Sequence, residues 1–254
     1  MPAFIQGWHR WVGVGLLAVF VFTGTARADT AALFSAPGIK PARVVDSLTK
    51  TFGEVVFGSE TNLQSRVVAK WQGPVGIALQ GRVTETYAGF LQTHLRTLAG
   101  LTGLRFAQVK PDDPGQKITI AFVRRSEMAS INLPGVDPAL VRRLAASGGC
   151  YFLSFKKPED RIIFAVIVVN VDRDPALTNS CLLEEVAQSL GLPNDTDLMR
   201  PSIFSDRDHV TSLSPSDRAL VRALYDPRMK AGLPPGEALA VARALFSEMA
   251  EAAQ

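Results

Sequence analysis

Apolar side chains recur at intervals of three and four along several parts of the chain, the spacing that one face of a helix requires. The clearest case is residues 85–102, where Tyr87, Phe90, Leu91, His94, Leu95, Leu98 and Leu101 share a side and Gly103 supplies a stop. Val44, Val45, Leu48 and Phe52 predict a helix over 41–56. Further helices are predicted over 181–190, ending at Gly191; over 215–225, with Ser214 as cap and Asp217 in the first turn; and over 235–252. Asp137 is placed to cap a short helix at 138–146.

Elsewhere the period changes to two. Pro74 followed by alternating Val75, Ile77 and Leu79 predicts a half-buried strand within 71–81, and Ile118, Ile120 and Phe122 predict another over 117–124. A strand is also predicted at 104–109, separated from the latter by the turn-forming residues 111–115. Residues 150–155 and 161–171 read as a hairpin around the polar segment 156–160. From Ile162 to Val169 both faces are apolar, which predicts a central strand covered on two sides. The expected class is α+β: one twisted mixed sheet backed by helices, followed by a mostly helical part over 196–254.

The first residues follow a different logic. Arg10, an apolar run over 12–22 and the triplet Ala26-Arg27-Ala28 ahead of Asp29 have the layout of a signal peptide, with cleavage expected after Ala28. The run is well short of the roughly 20 residues that a membrane-spanning helix needs, so a retained anchor is the weaker alternative. Residues 29–254 are then expected to form one domain, exported to the periplasm or beyond, with membrane contact only through an uncleaved leader.

Charge and cysteine content fit that setting. The leader holds two of the 27 basic residues and none of the 24 acidic ones, so the remainder is close to neutral. With no basic stripe downstream, a nucleic-acid partner is not expected. Cys150 and Cys181 both follow the leader, and in an oxidising compartment they are expected to pair; two buried, unpaired thiols are the alternative.

Candidate chemistry is concentrated in one segment. On a helix, Leu182, Leu183, Val186, Ala187 and Leu190 form an apolar stripe, which puts Glu184, Glu185 and Gln188 together on the other face. Gly191 then allows a sharp turn that returns Asn194 and Asp195 toward that face. A solvated polar helix face or a hydrogen-bonded turn network accounts for the same residues without any chemistry.

The segment resembles the extended zinc signature of the metzincin metallopeptidases. The resemblance implies that Glu184, Gln188 and Asn194 occupy the three ligand positions, Glu185 that of the general base and Gly191 the turn. All three ligand positions lack histidine. Residues 201–205 are similar to the methionine-bearing turn of that family, with Phe204 in place of the methionine. The chain, with Cys150 and Cys181 flanking the hairpin and Leu224-Tyr225-Asp226-Pro227 after it, also looks like a domain-of-unknown-function family of exported proteobacterial proteins.

From the resemblance comes the expectation of a metzincin-like domain that is a pseudoenzyme, its cleft binding a peptide or an envelope partner. The alternatives are an atypical hydrolase using Glu185 as general base and a structural envelope assembly factor. No cofactor is expected; an oxygen-only ligand set is weak for zinc, though it leaves room for zinc or a hard cation such as calcium. Of the histidines beyond the leader, His94 is expected in the core and His209 on the surface.

Overall fold

The computed structural model describes residues 25–35, 38–58, 66–157 and 161–254. The basic and apolar parts of the expected leader lie outside the described residues. The expected cleavage point after Ala28 falls within the first helix, α1 (Thr25–Ser35), which the sequence pattern did not predict.

The hydrophobic periods translate into elements with small shifts at the ends. Helix α2 (Pro41–Phe57) buries Val45, Leu48, Phe52, Val55 and Val56, and Pro41 suits its first turn because that position needs no amide hydrogen. Strand β1 (Val75–Gly81) leads into α3 (Glu85–Thr102), which Thr84 caps through the amide of Tyr87 and which ends at Gly103 in the left-handed conformation. Strands β2 (Phe106–Gln108) and β3 (Gln116–Val123) follow. A turn of 3₁₀ helix (Met128–Ser130) comes next, then α4 (Pro138–Ala145), capped by Asp137 as expected. The hairpin is β4 (Cys150–Lys156) and β5 (Ile162–Asn170). Helices α5 (Pro175–Gln188), α6 (Pro215–Tyr225) and α7 (Pro235–Glu251) complete the described chain.

The five strands form one sheet in the order β2-β1-β3-β5-β4. All neighbouring pairs are parallel except β4 with β5, where Cys150 faces Val169 and Phe155 faces Phe164. The class is therefore α/β with a single mixed sheet, which corrects the α+β expectation. Strand direction was the missing information: β1 and β2 are joined through α3, a crossover connection that brings the chain back to start a second strand in the same sense.

As predicted, β5 is an interior strand, covered on both faces from Ala165 onward, although Ile163 near its start is exposed. Ala165, Ile167 and Val169 join the main core with α2, α3, α5, α6 and α7, whereas Val166 and Val168 meet Met128, Val141, Ala145 and Tyr151 on the opposite side. Among the described residues no helix is long and apolar enough to cross a membrane.

Candidate functional site

β4 lies at one end of the sheet, so among the described residues only one of its edges is paired. The amide of Asn170 donates to the carbonyl of Gly149 (3.1 Å), which fixes the phase of the antiparallel ladder. Strict alternation then turns the backbone groups of Tyr151 and Leu153 toward β5, and those of Cys150, Phe152 and Ser154 outward. A cleft of about 700 Å³ runs along this edge, lined by Gly149 to Ser154 on one side and by Cys181, Glu184, Glu185 and Gln188 of α5 on the other.

Helix α5 starts six residues earlier than the apolar stripe suggested. Its first turn is held by Asp174, whose carboxylate accepts from the amide of Ala176 (2.8 Å). Thr178 and Ser180 are polar yet buried, which is why the period is blurred there. Leu182, Leu183, Val186, Ala187 and Leu190 all enter the core as expected. Each large side chain in that stripe stabilises the docked helix by about 1.5–3 kcal/mol.

The end of α5 is clamped by side chains from distant segments. The indole Nε1 of Trp71 donates to the carbonyl of Ser189 (2.9 Å), and the hydroxyl of Tyr225 donates to that of Leu190 (2.8 Å). These bonds satisfy carbonyls that a helix end leaves without intrahelical partners. Gly191 follows at φ +113°, and a Cβ there would lie 2.1 Å from the carbonyl oxygen of Ala69. Only glycine fits this turn.

The turn brings back Asp195. The amide nitrogen of Gln188 donates to a carboxylate oxygen of Asp195 (2.5 Å). Asn194 is directed elsewhere: its side-chain nitrogen donates to the carbonyls of Glu54 (3.1 Å) and Asp195 (2.9 Å), and its backbone amide donates to Val55 (3.2 Å). It fastens the turn to the end of α2, where Gly58 leaves the room that its amide group occupies. Of the five polar residues singled out by the sequence, Glu184, Glu185, Gln188 and Asp195 line the cleft. Asn194 instead braces its floor.

The polar face is less solvated than a bare helix pattern implies, since Glu185 and Gln188 are 5% and 4% exposed. Carboxylate oxygens of Glu184, Asp195 and Asp206 lie within 4.8 Å of one another. Cys150 and Cys181 form a disulfide (Cα–Cα 6.1 Å) that ties β4 to α5, and a carboxylate oxygen of Glu185 lies within 4.8 Å of both sulfurs. The three positions compared with zinc ligands do not converge as a ligand set: Gln188 offers an amide engaged with Asp195, and the Asn194 side chain bonds the carbonyl of Glu54 at the end of α2.

The two histidines sit as their surroundings in the sequence suggested. His94 is buried, with Nε2 2.7 Å from the side-chain oxygen of Asn179 on α5, and burial lowers its pKa from 6.5 against the opposing effect of that bond. His209 is exposed, but it also lines the cleft, as does Asp206.

Beneath the cleft's outer loop, Asp217 organises residues 201–205. Its carboxylate accepts from the hydroxyl of Ser202 (2.6 Å), the amide of Ser214 (2.8 Å) and the amide of Ile203 (3.3 Å). Burial pushes its pKa up, and the three hydrogen bonds pull in the other direction. Phe204, in the position compared with a methionine, is fully buried in the main core.

Sequence reasoning missed the entrance beside Cys150. Asn170 donates to the carbonyl of Gly148 (2.7 Å) and accepts from the amide of Asp172 (2.9 Å), holding the glycine pair in place. Arg143 and Arg173 line the same end of the cleft. The available signal was Gly148-Gly149 immediately before a cysteine, a pattern that leaves room for neighbouring side chains.

An α/β domain with an antiparallel edge strand, a disulfide and an acidic helix face along one cleft is the class that the fold and site define. The chain belongs to the family described as "Protein of unknown function (DUF2927)", whose model matches residues 45–244. No curated protein matches the chain.

Proposed function

We propose that this is an exported, metzincin-like domain that has become a pseudoenzyme, and that its cleft binds an extended peptide segment of an envelope partner. The observation that carries this reading is the outward-facing edge of β4 alongside the cleft. Its amides and carbonyls are oriented to accept one more strand, and the cleft provides space for side chains on alternate positions of that strand. The metzincin likeness is supported by the helix, glycine turn and returning acidic residue at 184–195, joined to a mixed sheet with one antiparallel edge strand beside the cleft. The donor set at Glu184, Gln188 and Asn194 favours binding over zinc-dependent hydrolysis.

A displayed library of unstructured peptides, panned on protein expressed in an oxidising compartment, tests this directly. Ser154→Pro removes one outward amide without touching the ladder to β5. It is expected to weaken selected peptides about tenfold, the loss of one backbone hydrogen bond, with an unchanged thermal midpoint. Equal binding by the variant, or metal-dependent cleavage of the peptides, overturns the reading.

A further inference from the structure

The disulfide lies at the point where the two walls of the cleft meet. Cys150 opens β4, Cys181 lies in the middle of α5, and both line the cleft. Cys181 is 3% exposed, whereas Cys150 is half-buried, so approach from the cleft favours the sulfur of Cys150. A purely structural bridge needs nothing more than suitable geometry.

This one has two charged groups beside it. Glu185, one turn beyond Cys181, keeps a carboxylate oxygen within 4.8 Å of both sulfurs. Arg173 occupies the space that Gly149 leaves: a Cβ at that glycine would meet the guanidinium Nη1 at 2.5 Å and the sulfur of Cys181 at 3.9 Å. A guanidinium near a cysteine favours its thiolate, the form in which sulfur leaves during exchange. A carboxylate at the same place is suited to move the proton.

We propose that Cys150–Cys181 is an exchangeable lock on the cleft, opened by a dithiol small enough to enter it. Glu185 takes the proton of the first thiol, whose sulfur attacks Cys150. The S–S bond breaks, a mixed disulfide forms at Cys150, and Cys181 leaves as a thiolate beside Arg173. Glu185 then returns the proton to Cys181. The second thiol of the reductant attacks its own sulfur in the mixed disulfide, transfers its proton to Cys150 and closes as the oxidised dithiol. The two electrons come from the dithiol, and both cysteines end as thiols. Opening the lock removes the covalent tie between the start of β4 and α5, leaving the cleft's two walls joined by packing alone. This goes beyond peptide binding and does not depend on it.

The test is the kinetics of reduction of the native protein by dithiothreitol, read as alkylated mass against time. The expected result is a rate linear in reductant, with no plateau, and faster than global opening measured by hydrogen exchange on β3 and β5. Arg173→Met and Glu185→Gln are each expected to slow it about tenfold, in keeping with control of exchange by thiolate stability and proton transfer, at unchanged thermal midpoints. Arg173 lies at the cleft margin, so that variant retains the core even if Glu185→Gln does not fold. A rate that saturates at the global opening rate overturns the proposal. So does a rate that Arg173→Met leaves unaltered.

Discussion

Individual buried polar groups in this protein have separable signatures. His94 is held neutral by burial, so the unfolded chain binds a proton more readily than the folded one. Its contribution to stability is intact above pH 6.5 and is lost as pH falls below that value toward its depressed folded pKa. Denaturant titrations at pH 7.5 and pH 5 should show less acid sensitivity in His94→Leu than in the wild type. Lys70 behaves similarly at the other end of the scale. Burial lowers it from 10.5 to about 8, although its ammonium donates to the carbonyl of Leu224 (3.0 Å) and lies over the ring of Tyr225. Between those two values the unfolded chain again binds more protons, so this group makes stability rise from about pH 8 to pH 10.5. The rise should be absent from the difference profile of Lys70→Met. Asp217 accepts three hydrogen bonds in the core, and Asp217→Ala leaves their donors unsatisfied. A loss of about 2–4 kcal/mol in urea unfolding is expected.

At the scale of elements, most helices were legible because their apolar stripes decide their faces. The same stripe located α5 in the core, but it missed the first six residues, where polar Thr178 and Ser180 are buried. The cleft was legible only in part. Helical spacing places Glu184, Glu185 and Gln188 on one side, and glycine at 191 permits a return; whether Asn194 or Asp195 completes it depends on α2, far away in sequence. No local pattern encodes that choice. Trp71 and Tyr225 were likewise readable as strand and helix residues, but not as the pair that seals the end of α5. Trp71→Phe removes one buried donor and should cost about 1–3 kcal/mol. Gly191→Ala forces a Cβ against a carbonyl at a positive φ; it should cost more than about 2 kcal/mol and disturb the cleft, visible as loss of amide protection around residues 188–195.

For the molecule as a whole, the strand directions were beyond the reach of local patterning. Alternation identifies strands, yet parallel pairing of β3 with β5 joins Ile118 to Ala165 across many intervening residues. Only the hairpin announces its own direction, since a short polar connection leaves the antiparallel arrangement as the natural one. The disulfide spans 31 residues, and tying them together should stabilise the fold by about 3–4 kcal/mol through restriction of the unfolded chain. A Cys150→Ser, Cys181→Ser double variant should show that difference in chemical denaturation. The proposed export predicts a periplasmic form that begins at Asp29 by N-terminal sequencing.

The one antiparallel pairing among the described strands also bears on the order of assembly. The pairing of Phe155 with Phe164 closes only a short loop, whereas the parallel pairings join Val75 to Phe106 and Ile118 to Ala165. The edge of the finished sheet is thus the part best able to form first, and the core strands then add to it. Pulse-labelled hydrogen exchange during refolding should find amides of β4 and β5 protected ahead of those in β1 and β2. Refolding would on this order begin at the hairpin, with the parallel strands added to it afterwards.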